Sequence, residues 1–144
     1  MRVLALDLGQ ARIGLALSDS AGVLASPYGT IERSGDESAD RAAIAAVVRE
    51  SRAGLVLVGH PLSLSGRSGP AAEKAEKEAA ALAGLLEVPV ELFDERLTTL
   101  EATRRRRERA VTPAGRKRRA GRRGIDAEAA AVLLEAYLAG RGGR

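Results

Sequence analysis

Apolar residues run almost unbroken from Val3 to Leu8, and the one interruption is a carboxylate, Asp7. The run predicts a buried strand over Met1–Leu8. Gly9-Gln10-Ala11-Arg12 then reads as a tight turn, with Gly9 supplying the permissive backbone. Ile13–Ser18 alternates with small residues and predicts a second strand, antiparallel to the first. Val23–Ile31 predicts a third, which Pro27 places near a sheet edge. The period then changes. Ala42, Ala43, Ala46, Val47 and Glu50 recur at helical spacing, so Asp36–Arg52 is predicted as an amphipathic helix. Leu55–Val58, bounded by Gly54 and Gly59, is a short buried strand, and His60–Gly69 a Gly/Ser loop. Pro70 opens a helix to about Leu86, and Val88–Phe93 is another strand.

From there the pattern predicts a helix over Leu97–Arg109 and a mobile loop over Ala110–Gly124, where Pro113, Gly115 and Gly121 recur. A terminal helix follows over Ile125–Leu138, capped near Asp126. The order is βββαβαβα with one further helix beside the loop. A meander followed by right-handed crossovers gives an α/β fold, a mixed five-stranded sheet with helices on both faces. A single domain is expected over 1–139, with a mobile basic loop at about 104–123 and a flexible tail at 140–144.

Composition narrows the chemistry. The chain has 144 residues, 45% hydrophobic but only 2% aromatic, so Leu, Val, Ile and Ala build the core and an aromatic base-stacking platform is disfavoured. It has no Cys and one His, which excludes thiolate and His-rich metal sites and cysteine nucleophiles. No stretch has the length of a membrane span, so a cytoplasmic protein with no membrane partner is expected. The net charge of +4 conceals an asymmetry. From Arg104 to Arg123 stand eleven Lys or Arg against one acid, Glu108. A basic block on an acidic body suggests an arm for a polyanion; a solvated arginine-rich loop is the plainer alternative.

Acids stand where apolar elements stop or start: Asp7, then Asp94 and Glu95 after Leu92-Phe93, then Asp126 after Gly124-Ile125. Carboxylates converging from separate elements suit Mg²⁺ or Mn²⁺ rather than zinc. Together with the basic arm they suggest a metal-dependent enzyme acting on phosphodiesters. Alternation along the strand sends Asp94 and Glu95 to opposite faces, so one of the two reaches a metal. Capping the helix N-terminus is the plainer alternative for Asp126, and it could cap and ligate together. Arg12, in the turn beside Asp7, could hold a substrate phosphate or pair with an acid. Ser63, Ser65, Gly66 and Ser68 form a polar loop before a helix N-terminus, either plain loop chemistry or a phosphate seat.

Four blocks carry a family resemblance: Asp7-Leu8-Gly9-Gln10-Ala11-Arg12-Ile13-Gly14-Leu15-Ala16; Val58-Gly59-His60-Pro61-Leu62 with Gly66; Asp94-Glu95-Arg96-Leu97-Thr98-Thr99; and Ile125-Asp126-Ala127 with Ala129 and Ala130. In these blocks the chain resembles the YqgF/RuvX family, Holliday-junction resolvases also described as nucleases of the small-subunit (16S) ribosomal RNA precursor. His60 stands where that family more often has an apolar residue. The resemblance implies a ribonuclease H-like fold and an acidic triad of Asp7, Glu95 and Asp126. Two metal ions would fit that triad, with Asp7 bridging and Glu95 and Asp126 holding one each. Arg12, Arg116, Lys117, Arg118 and Arg119 are the expected nucleic-acid-binding residues. The expected function is hydrolysis of phosphodiester bonds in structured RNA, the 16S ribosomal RNA precursor. The alternatives are a resolvase acting on branched DNA and a non-catalytic nucleic-acid-binding module. A monomer or weak homodimer is expected, because each helix's apolar face is needed to cover the sheet. A sugar kinase or ATPase of related fold is disfavoured, since it needs two such domains.

Overall fold

The structure, a computed structural model, describes residues 1–98 and 122–142. Strands β1 (Arg2–Leu8), β2 (Arg12–Ser18) and β3 (Ala25–Glu32) form the meander, followed by helix α1 (Glu37–Ser51), β4 (Ala53–His60), α2 (Pro70–Leu85), β5 (Val90–Asp94) and the C-terminal helix α3 (Arg122–Gly142). The sheet order is β3-β2-β1-β4-β5. β1 runs antiparallel to β2 and parallel to β4, so the expected mixed five-stranded sheet is present with β1 at its centre. β3 is an edge strand, and its ladder shifts register beside Pro27.

Alternation along the strands sorts the core into two layers. Leu4, Leu6, Val56 and Val58 face α1 and α2, meeting Ile44, Val48, Ala75, Ala79 and Leu82. Val3, Ala5, Ala16, Leu55 and Leu57 face α3, meeting Ala130, Ala131, Leu134 and Leu138. Helices therefore cover both faces. In α3, Ala127, Ala130, Ala131, Leu134 and Leu138 recur at helical spacing and are all buried. Its alanines let the helix lie close on the sheet. α1 starts where the Asp36 side chain accepts from the Ser38 and Ala39 amides, and it ends on Arg52 at φ 58°.

Several boundaries differ from the sequence expectation. β3 begins at Ala25 rather than Val23, because Asp19 Oδ1 takes the amides of Val23 (2.7 Å) and Leu24 (3.1 Å) into a turn. β4 extends to His60, in register with Asp94 of β5. Leu97 does not open a helix: it closes a 3-10 turn, Glu95–Leu97, and Thr98 is extended at ψ 116°. The rest of the expected helix, and most of the expected basic loop with Arg116, Lys117, Arg118 and Arg119, lie outside the described residues. The terminal helix begins at Arg122 and ends at Gly142, so it takes in the last residues assigned to the loop and the first of the tail. Asp126 thus sits inside the helix and is not its N-cap. Gly124 and Gly140 mark breaks by composition, yet a single glycine costs a helix only about 1 kcal/mol, and the buried stripe outweighs that. No helix of the described residues is long and apolar enough to cross a membrane.

Candidate active site

Asp7 lies near the carboxyl end of the central strand, on the face that Val3 and Ala5 turn toward α3. Its register partner on β2 is Gly14. On the other side stands Gly59, which follows Val58, the partner of Leu6. Three neighbouring strands thus present Gly14, Asp7 and Gly59 in a row, one carboxylate flanked by two positions without side chains.

Each glycine seats another acid. A β-carbon at Gly14 would overlap the main-chain carbonyl of Asp126 and lie 3.3 Å from the Ala127 nitrogen. A β-carbon at Gly59 would lie 3.2 Å from Glu95 Oε1 and 3.1 Å from Leu133 Cδ2. The first glycine therefore admits the backbone of α3, and the second admits the Glu95 carboxylate from the turn after β5. Sequence reasoning missed this role for both. Their signal is a glycine at positions where the strand's alternation calls for an inward side chain.

Burial raises the Asp7 carboxyl above the ordinary aspartate range, and the neighbouring Asp126 charge raises it further. Glu95 is raised first by burial, then by Asp7 and to a lesser degree Asp94, while His60 offsets part of this. Each acid is coupled to Asp7, which stands in the middle. Among the described residues neither Asp7 nor Glu95 has a hydrogen-bond or ion-pair partner for its carboxylate. Half-buried acids without partners are costly. The three do not, however, close on one point as the sequence suggests: no group of three or more acids or histidines among the described residues is gathered closely enough to hold a metal ion. They meet pairwise, through Asp7.

The neighbouring charges are committed elsewhere. Asp94 accepts a fork of bonds from Arg96, at 2.6 and 3.0 Å, which holds its carboxyl below the usual range and leaves Glu95 as the available acid of the pair. Arg96 also donates to the carbonyl of Leu64, tying the 61–69 loop to the end of β5. His60 Nε2 lies 2.7 Å from Glu76 Oε2, and Ser68 Oγ donates to the same oxygen at 2.7 Å. Arg12 pairs with Glu32, its register partner, at 3.0 Å and lies 4.0 Å from Asp126 Oδ2. The acid-pairing reading of Arg12 is therefore the one seen. Asp7 and Glu95 border a cleft of about 680 Å³ over the carboxyl ends of β1 and β4, whose walls include Arg33, Arg41, Lys74 and Lys77. Sequence reasoning missed this basic wall, because the four residues are scattered along the chain.

A central strand ending in an acid, a meander before it, crossovers after it and a C-terminal helix laid across its acidic face define a ribonuclease H-like domain. RuvC of Thermus thermophilus, solved in complex with a Holliday junction substrate, shares the fold with a TM-score of 0.63 at 21% identity, over 99% of this chain and 96% of that one. The family model of RuvX, described as a Holliday junction resolvase, matches residues 1–140. A relative from Anaeromyxobacter sp. (strain Fw109-5), named "Putative pre-16S rRNA nuclease", is 48% identical over 98% of both chains. One of the same name from Pelotomaculum thermopropionicum is 41% identical over 99% of this chain and 89% of its own. The chain belongs to the RuvX family.

Proposed function

We propose that this protein is a divalent-metal-dependent nuclease that hydrolyses phosphodiester bonds in nucleic acid, with the precursor of 16S ribosomal RNA as its natural substrate. The observation that carries the reading is the row Gly14–Asp7–Gly59, which brings Asp126 and Glu95 to either side of a central acid. The names of the relatives at 41% to 48% identity support the RNA substrate.

The donor set fits hard cations. Asp7 and Glu95 are raised in pKa by burial and by charge, and have no partner among the described residues. A divalent ion relieves that repulsion and favours oxygen ligands. Two Mg²⁺ or Mn²⁺ ions would be held by Asp7, Glu95 and Asp126, and would supply an activated water and the charge that stabilises the leaving oxygen. The chain's own residues provide the rigidity: a central strand under Asp7, a glycine beneath Glu95, and α3 seated on Gly14. Arg12 links Asp126 to the β3 edge, so its part in the site is to position α3, with phosphate contact open to whatever of the guanidinium its acids leave free.

The test is side-by-side cleavage of a 16S precursor RNA and a synthetic four-way DNA junction, with Mg²⁺, with Mn²⁺ and with chelator. Metal-dependent scission of the RNA is the expected result. Symmetric nicking of the junction with no activity on the RNA would make the chain a resolvase, and inertness toward both would leave a binding module.

A further inference from the structure

The cleft beside Asp7 and Glu95 has four cationic side chains on its walls, and they are not equivalent. Arg41 is neutralised: it reaches Glu78 Oε2 at 3.0 Å and Glu37 at 3.6 Å, and so braces α1 against α2. Arg33 donates from Nε to the carbonyl of Gly9 at 2.7 Å and holds the β1–β2 turn. Lys74 and Lys77 are exposed and make no hydrogen bond or ion pair among the described residues. Of the cleft's carboxylates, Glu37 and Glu78 are both engaged by Arg41. Arg33 is bonded only to a neutral carbonyl, and the two ammonium groups on α2, which line the same cleft as Asp7 and Glu95, have no partner among the described residues.

Three further features suit one ligand chemistry. Lys74 and Lys77 are three residues apart on a helix, so their β-carbons lie about 5–6 Å from each other on one face, a span that two neighbouring phosphates of a strand can meet. The cleft follows the same face of α2 from Pro70 to Glu78, and the helix begins at Gly69 with no side chain capping its first amides. The positive end of α2 therefore lies on the same wall. The volume, about 680 Å³, is in the range of pockets for small ligands, roughly 300–1,000 Å³. That admits a short stretch of one strand and excludes a duplex from its depth.

We infer that Lys74 and Lys77 form a phosphate-binding step that leads a single strand of nucleic acid through the cleft to Asp7 and Glu95, a contact surface separate from the arginine run. The inference rests on the nuclease reading for its substrate class and deepens it: the strand cut is unpaired on the α2 side of the scissile bond.

Binding is measured by fluorescence anisotropy in chelator, so that it does not depend on cleavage, with single-stranded and duplex RNA of equal length across a salt series. K74A/K77A is expected to bind the single strand about tenfold more weakly at physiological salt. Its slope against log salt should be shallower by roughly 1.4, two phosphates at about 0.7 each. K74R/K77R, which keeps the charges, should restore both values. R49A, a cation on α1 outside this cleft, should match the parent. Unchanged affinity and slope in K74A/K77A would overturn the inference while a cleaving parent left the nuclease reading intact. Equal losses on duplex and single strand would overturn the single-strand path. A parent that cleaves nothing, with the lysine effect on binding preserved, would instead remove the nuclease reading and leave the binding surface standing.

Discussion

Gly14 and Asp126 are in such close approach that no side chain fits between them: a β-carbon at 14 would overlap the Asp126 carbonyl oxygen. The obstacle is backbone, which cannot swing aside as a side-chain tip can. Gly14→Ala is therefore expected to lift the first turns of α3 from the sheet and carry Asp126 away from Asp7. Overpacking of this kind costs about 1–3 kcal/mol, and cleavage should fall about a hundredfold, as misplacement of a catalytic group by an ångström does. Urea unfolding and single-turnover cleavage read the two effects. A variant of parental stability and rate would show that α3 does not depend on this contact.

Gly59 predicts the opposite balance. The atoms nearest a new β-carbon there are the ends of side chains, Leu133 Cδ2 at 3.1 Å and Glu95 Oε1 at 3.2 Å. Both can yield by a few tenths of an ångström. Gly59→Ala is expected to unfold within about 1 kcal/mol of the parent yet cleave roughly ten- to a hundredfold more slowly, since the group that yields is a proposed metal ligand. A large stability loss with normal turnover would mean that Leu133, not Glu95, takes the strain.

These two glycines mark the limit of what was legible in the chain. Apolar runs mark β1 and β4 and alternation marks β2, and the three acids stand out because charge interrupts or bounds apolar runs. The mixed character of the sheet follows from the change of period after β3, whereas the strand order comes from the structure. How Asp126 and Glu95 reach Asp7 was not legible, because a glycine in a strand signals only weakly whether it serves a turn, a bulge or a close approach. Helix ends were misjudged where Gly124 and Gly140 suggested breaks, since burial of Ala127 to Leu138 outweighs local propensity. Nothing in the local sequence sets Lys74 and Lys77 apart from the other charged residues of α2. Only the packing of α2 on β4 and β5 puts them in the same cleft as Asp7 and Glu95.

The arginine run supports a prediction from charge alone. Replacing Arg116, Lys117, Arg118 and Arg119 with Ala removes four positive charges. Affinity for all nucleic acids should fall alike, with the salt slope shallower by about 0.7–0.9 for each phosphate no longer neutralised. Sequence preference should not change, because phosphate contacts carry no base information. A quadruple variant that binds normally at physiological salt would reduce the run to a solvated surface.

As a proposed metal ligand, Asp7 is expected to couple catalysis to stability, and the sign of that coupling is testable. Asp7→Asn keeps the shape but removes the charge, so cleavage should drop by several orders of magnitude, the loss expected when metal activation of water fails. In the metal-free protein the folded Asp7 carboxyl titrates above its ordinary value of 3.8, chiefly through burial and then through Asp126. Below about 3.8 it is protonated in both folded and unfolded chains. As pH rises, the unfolded chain releases its proton first, so stability declines until the folded carboxyl has also ionised, and the loss persists above that point. Asn cannot ionise and escapes the loss. The melting temperature of Asp7→Asn relative to the parent, measured in chelator, should therefore rise from about pH 4 toward pH 7. Added Mg²⁺ or Mn²⁺ should stabilise the parent and not the variant, by binding the folded state alone. A pH-independent difference in melting temperature, or equal stabilisation of both proteins by the metal, would remove Asp7 from the centre of the site.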